Sequence, residues 1–195
     1  MHWYEQVVVV LISYFLGCIS IGYLLVRKKA GKDIRNEGSG SVGASNVGRI
    51  LGKTGFIITF AFDCFKGAAA VGMTRFLGFD SFIVTLSMIA VVVGHIFPIQ
   101  LRFKGGKGIS PSLGALLIYD YISLLVLGGV FAITYVIGKN FIISGIISYL
   151  LLPIGLIFFK IRYMNIIGIF VLSLIITFAH RENISAELKK VVHKI

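Results

Sequence analysis

Runs of about twenty apolar residues recur along this chain, and they leave few folds open. Residues 121–137 and 141–159 contain no charged side chain at all. A helix rises about 1.5 Å per residue, so about 20 residues cross the ~30 Å hydrocarbon core of a bilayer. Lipid offers no partner to an unpaired peptide group, so such runs are predicted as helices. Hydrophobic residues fill 57% of the 195 positions, more than a soluble domain of this size can hide. The expected fold is an all-α integral membrane protein, with one membrane-embedded domain over residues 1–195.

The apolar runs place spans at residues 7–26, 53–75, 81–101, 121–137, 141–159 and 163–179. A shorter apolar stretch, 109–118, is expected as a short or re-entrant helix, giving about seven crossings. Polar breaks fall at 27–52 and 102–108, and a basic tail follows 179. Cytosolic flanks of spans carry the excess of Lys and Arg. With the first break inside and seven crossings, fifteen Lys and Arg lie on the cytosolic side and three outside. The expected orientation is therefore N-terminus out, C-terminus in. Lys160 and Arg162 are the two cations in the same outer break that count against it.

The formal net charge is +11, concentrated in the breaks. No basic stripe with interleaved exposed aromatics is present, so nucleic acid is not expected as a partner. Orientation and an anionic substrate account for the charge. Cys18 and Cys64 sit in apolar runs and read as small core residues, with no metal or disulfide spacing. The first residues lack a basic region and a small-residue cleavage site, and run into Arg27-Lys28-Lys29, a stop-transfer flank.

Three polar patches carry the chemistry. The first is Arg35-Asn36-Glu37-Gly38-Ser39-Gly40-Ser41-Val42-Gly43-Ala44-Ser45-Asn46-Val47-Gly48-Arg49. Gly38, Gly40 and Gly43 match G-x-G-x-x-G, but a dinucleotide site needs a strand before it and a βαβ unit around it. What remains is either an anion cradle or a flexible polar loop. In the cradle, glycine backbone N–H groups approach an oxyanion, Ser39, Ser41, Ser45 and Asn46 add donors, and Arg49 adds a forked phosphate contact.

The second patch runs from Gly94-His95-Ile96-Phe97-Pro98 to Phe103-Lys104-Gly105-Gly106-Lys107-Gly108. It is not a Walker loop, since no Ser or Thr follows the lysine. Lys104 and Lys107 on the Gly105, Gly106, Gly108 backbone suit a phosphate, or a stop-transfer turn with snorkelling lysines. His95 is expected as a structural histidine rather than a catalytic one. The third patch is His180-Arg181-Glu182-Asn183; on a continuing helix His180 and Asn183 share a face. A helix-end polar cluster is the alternative.

Asp63 and Lys66 lie three apart deep in an apolar run. Ionisable groups there are expected to pair and face the bundle interior, in a structural role or in orienting a neighbouring loop. The chain lacks an H-x-x-x-x-D acyltransferase signature (Gln100 stands five after His95), a G-x-S-x-G elbow and a Cys/His metal cluster. No metal or cofactor is expected.

Taken together, the three patches resemble the PlsY family of acyl-phosphate:glycerol-3-phosphate acyltransferases of bacterial inner membranes. The resemblance covers nearly the whole chain, including Asp63, Lys66 and Gly67. It implies a seven-helix, N-out fold with all three motifs on the cytosolic side. It implies acyl transfer from acyl phosphate to the 1-hydroxyl of glycerol 3-phosphate, giving lysophosphatidic acid for phospholipid synthesis. By the same resemblance Ser39, Arg49, His180 and Asn183 serve catalysis, Lys104 to Gly108 bind glycerol 3-phosphate, and Glu182 is structural. Ser41 stands where the family usually has Asn, and Ser45 where it has Thr; a paralogue with another phosphorylated acceptor would show such changes. Membrane lipids are the expected surroundings, and a monomer the expected state. A small organic-phosphate transporter is the rival class, on the strength of broken helices and buried charge.

Overall fold

A computed structural model of the chain describes residues 2–159 and 161–192. Lys160 and Lys194, both used in the charge count, lie outside the described residues. Among the described residues every regular element is helical. The helices are α1 (Trp3–Cys18), α2 (Ile21–Ala30), α3 (Ala44–Phe76), α4 (Ser81–Ile96), α5 (Ile109–Tyr119), α6 (Tyr121–Gly138), α7 (Phe141–Phe158), α8 (Tyr163–Ala179) and α9 (Arg181–Val192). Single 3-10 turns occur at Ile34–Asn36 and Ile99–Leu101.

Each expected apolar segment is helical. Five stretches are long and apolar enough to cross a membrane: Trp3–Ala30, Ala44–Phe76, Ser81–Leu101, Tyr121–Gly138 and Phe141–Phe158. Tyr163–Ala179 with the start of α9, bent by 59°, makes a sixth, and Ile109–Tyr119 is apolar but short. The protein is an integral membrane protein of the all-helical class.

The expected 7–26 span is instead two helices, α1 and α2, broken at Ile19 and Ser20, and two further boundaries differ for a clear local reason. Helix α4 ends at Ile96, five residues before the expected 101. Pro98 follows, and the freed carbonyls of His95 and Ile96 accept instead from Gly106 and Gly105 N–H, both at 3.0 Å. Helix α3 begins at Ala44, not 53. Its first eight residues form an amphipathic segment, broken at Gly52 (φ 70°, ψ −168°), where a left-handed backbone favours glycine. The break at 52 coincides with the polar–apolar boundary read from sequence. The basic tail is helical as α9.

The chain forms two compact units, one up to Asp120 and one from Tyr121. In the first, glycines let helices touch backbone to backbone. A Cβ on Gly17 would stand 2.1 Å from Val91 O, and one on Gly94 2.1 Å from Tyr14 O, which seats α1 on α4. Gly67 against Pro111 O (1.9 Å) and Gly114 against Cys64 O (1.8 Å) seat α3 on α5 in the same way. The first helix pair breaks at Ile19 and Ser20, and the freed carbonyls find side chains. Gln100 Nε2 donates to Cys18 O, and Lys66 Nζ donates to Ile19 O at 2.8 Å. At membrane depth an irregular turn persists only with such partners. In the second unit, Asn140 caps α7 by accepting from Ile142 and Ile143 N–H, both at 3.1 Å, and its amide donates to Glu187 at 3.1 Å.

Candidate active site

The first glycine loop is a built structure rather than a slack connection. Gly31 ends α2 with φ 68°. Asp33 then accepts from Arg35 N at 3.0 Å and grips the Arg35 guanidinium, with Nη2 to Oδ2 at 2.6 Å and Nε to Oδ1 at 2.9 Å. The neighbouring guanidinium holds the Asp33 carboxyl down at about 2, and the carboxylate raises Arg35 in turn. Arg35 also lies 5.4 Å over the Tyr23 ring.

Asn46 is the hub of this loop. It is 1% exposed, and both ends of its amide are engaged. Nδ2 donates to Glu37 O and Ser41 O, each at 2.9 Å, and Oδ1 accepts from Ser39 N at 3.1 Å. Gly38 packs so closely on this amide that a Cβ would meet Oδ1 at 2.3 Å, and its φ of 57° disfavours a side chain as well. Beneath, Ile34, Val42, Val47, Val26 and Leu101 form a buried apolar floor. Gly43 N donates to Ser41 Oγ at 3.2 Å and caps the start of α3. Ser45 and Arg49, four apart on its first segment, share one exposed face.

The second loop folds onto the first. Gly105 and Gly106 return to the end of α4 through the hydrogen bonds given above, and Gly108 (φ 86°) begins α5. Val42 N donates to Gly105 O at 3.4 Å, and Arg35 Nη1 donates to Leu101 O at 3.1 Å. Segments more than sixty residues apart in sequence thus meet through backbone and guanidinium. Lys104 is exposed and Lys107 half-buried. The preceding Arg102 and Phe103 hold left-handed backbones (φ 54° and 61°) and lie exposed.

Below the second loop lies a buried ionic group. Lys66 Nζ is 2.9 Å from Asp63 Oδ1 and 2.9 Å from His95 Nδ1, and all three side chains are at most 7% exposed. The expectation of an inward-facing Asp63–Lys66 pair agrees with this geometry; His95, from another helix, joins it.

The third patch belongs to the second unit. The helix does not continue through it, so the shared-face argument for His180 and Asn183 fails as made. Helix α8 ends at Ala179 and the chain bends at His180, whose N–H is divided between Ile176 O (3.1 Å) and Thr177 O (3.0 Å). The His180 side chain is 5% exposed, with Nδ1 2.8 Å from Ile176 O, and its carbonyl accepts from Ile184 N to start α9. Asn183 is half-buried and Glu182 exposed. Arg181 stacks on Phe178 at 4.6 Å.

Of the expected residues, the first unit places Ser39, Gly40 and Ser41 on the first loop, Ser45, Asn46 and Arg49 on the start of α3 that follows it, and Lys104, Gly105, Gly106, Lys107 and Gly108 on the second loop, which joins the first. The Asp33–Arg35 clasp was not anticipated, although Asp and Arg two apart ahead of a glycine run were visible. Two glycine-lined loops with exposed cations and hydroxyls suit a phosphorylated ligand. Among the described residues no three His, Cys, Asp or Glu gather as a metal site.

A family model described as glycerol-3-phosphate acyltransferase matches residues 7–190. The chain is 39% identical over 178 residues to glycerol-3-phosphate acyltransferase 1 of Desulfitobacterium hafniense, covering 91% of this chain and 88% of that protein. It is 41% identical over 170 residues to glycerol-3-phosphate acyltransferase 1 of Bacillus cereus, covering 87% and 93%. The fold is similar to the crystal structure of PlsY (YgiH), an integral membrane glycerol 3-phosphate acyltransferase, in its glycerol 3-phosphate form. The TM-score is 0.86 at 30% identity, over 95% of this chain and 93% of that one.

Proposed function

The chain belongs to the glycerol-3-phosphate acyltransferase family, and we propose that it transfers a fatty acyl group from acyl phosphate to the 1-hydroxyl of glycerol 3-phosphate. The product is lysophosphatidic acid, and the setting is the bacterial inner membrane with the loops facing the cytosol. The proposed topology is seven crossings, N-terminus out and C-terminus in, in a monomer. The observation that carries the reading is the joining of the two glycine loops at Val42 and Gly105, with Arg49 and Lys104 exposed.

An acyl phosphate is a mixed anhydride with a good leaving group, so attack on its carbonyl needs positioning more than activation. The acceptor oxygen forms a bond to the acyl carbon. The bond from that carbon to the phosphate oxygen breaks, and its electron pair leaves on phosphate. The hydroxyl proton goes to His180 or to the departing phosphate. Arg49, Lys104 and Lys107 neutralise the two phosphates and Ser39 steadies the carbonyl, while the catalytic roles of His180 and Asn183 are those the family resemblance implies. Asn46 supports the reaction through the loop, since its amide already bonds Glu37, Ser41 and Ser39. The acyl chain lies in lipid-facing apolar surface.

Purified protein with acyl phosphate and a panel of phosphorylated polyols tests both reaction and acceptor. Glycerol 3-phosphate is expected to be acylated fastest, and Arg49→Ala to lose most of the rate. Faster acylation of another acceptor would replace the substrate. Flux of glycerol 3-phosphate into sealed vesicles without acylation would replace the reaction itself.

A further inference from the structure

Lys66 has an ammonium with three N–H groups and no acceptor. Its three partners are Asp63 Oδ1 at 2.9 Å, His95 Nδ1 at 2.9 Å and Ile19 O at 2.8 Å. These three atoms surround the ammonium, and His95 Nδ1 also stands 3.5 Å from Asp63 Oδ1, so the ring edge is held from two sides. The ring is held in one orientation by both neighbours. One positive and one negative charge balance in a group that is otherwise costly at membrane depth.

The far edge of that ring meets the second loop. A Cβ on Gly106 would stand 1.9 Å from His95 Nε2, 2.6 Å from Cε1 and 2.9 Å from Cδ2. The three nearest obstacles to a side chain at 106 are thus all atoms of one imidazole. The same residue's carbonyl accepts from Gly106 N at 3.0 Å and would lie 2.1 Å from a Cβ on Gly105. Ring and carbonyl of His95 together make the floor on which Gly105 and Gly106 rest.

From this we infer that His95 is a positioning residue. It sets the height of the Gly105–Gly106 backbone for the acceptor's phosphate, and Lys66 and Asp63 set the orientation of His95. The inference deepens the proposed acyl transfer and rests on it for the identity of the ligand. A charged group sealed from solvent is linked in this way to the loop proposed to bind the acceptor. A loop displaced by 1 Å loses much of its contribution to rate and affinity.

Three variants test it: His95→Asn, Gly106→Ala and the double variant. In His95→Asn the amide oxygen still accepts from Lys66, while the outer edge of the ring is gone. Gly106→Ala is expected to raise KM for glycerol 3-phosphate by at least about tenfold, with KM for acyl phosphate within about twofold of the original. The double variant is expected to fall well short of the product of the two single effects, because the ring that clashes with the new methyl is absent. Independent, multiplying effects would overturn the inference. So would an equal rise in both KM values.

A readout that needs no turnover keeps this separate from the reaction. With Cys at 104 (Lys104→Cys), labelling by a charged maleimide is expected to change at least about threefold on adding His95→Asn, while Lys29→Cys is unaffected. An unchanged rate at 104 overturns the positioning role, whatever the enzyme acylates. Failure of the wild-type protein to acylate glycerol 3-phosphate overturns the reaction and leaves the labelling result to decide for His95.

Discussion

Replacing Lys66 with Met removes a charge while preserving most of the side chain's length, and the buried ionic group makes the consequence large. Asp63 and Lys66 are 2% and 7% exposed and 2.9 Å apart. Removing one partner of such a pair leaves an uncompensated charge and costs about 3–5 kcal/mol. Ile19 O also loses its donor at the break between α1 and α2. For a chain of this size each kcal/mol moves the midpoint of thermal unfolding by about 2–4 °C. Lys66→Met should therefore lower Tm by roughly 6–20 °C, read by circular dichroism on the full chain in detergent. Asp63→Leu with Lys66→Met removes both charges and should recover at least about half of that loss, since an apolar pair of similar volume is often as stable as a buried ion pair. A single variant within about 2 °C of the parent would refute the reasoning, as would a double variant less stable than the single.

Other outcomes follow from the loops and helix contacts. Asn46→Ala removes three loop hydrogen bonds and should loosen the first loop by about 2–4 kcal/mol, read as faster hydrogen exchange at Ser39 N–H with little change in the core of α4. Gly67→Ala forces a methyl against Pro111 O, where only 1.9 Å is open, and should destabilise by at least about 1–3 kcal/mol in chemical unfolding. The Asp33 carboxyl is held at about 2, below its ordinary value of 3.8. Its contribution is therefore complete above pH ~4 and lost as pH falls through about 2. The Tm difference between the parent and Asp33→Asn should be constant from pH 7 to 5 and shrink towards zero as pH approaches 2.

Much of the architecture was legible because the bilayer admits so few solutions. Apolar runs at membrane length had to be helices, and Gly52 marked where the polar segment gives way to the span. The glycine loops were legible as tight turns because few other residues permit the backbones of Gly38, Gly40 and Gly108. Contacts between distant positions were not. His95 and Lys66 are 29 residues apart, and only the packing of α3 on α4 brings them together. The break after Cys18 has no proline to announce it, and Gly17 and Gly22 beside it read as packing residues of one apolar run; the carbonyls that accept from Gln100 and Lys66 sustain it. Asn46 reads as one more donor in a polar loop, yet its burial turns it into the loop's internal support. The bend at His180 was hidden for the same reason, since nothing in His180-Arg181-Glu182-Asn183 forbids a continuous helix.

The proposed chemistry has a fixed stoichiometry, and measuring it is the most direct test. Purified protein is incubated with acyl phosphate, labelled in its phosphate, and with glycerol 3-phosphate labelled in its carbon skeleton. One inorganic phosphate should appear for each 1-acyl lysophosphatidic acid, and none without the acceptor. Phosphate release with no acylated glycerol 3-phosphate would contradict the account.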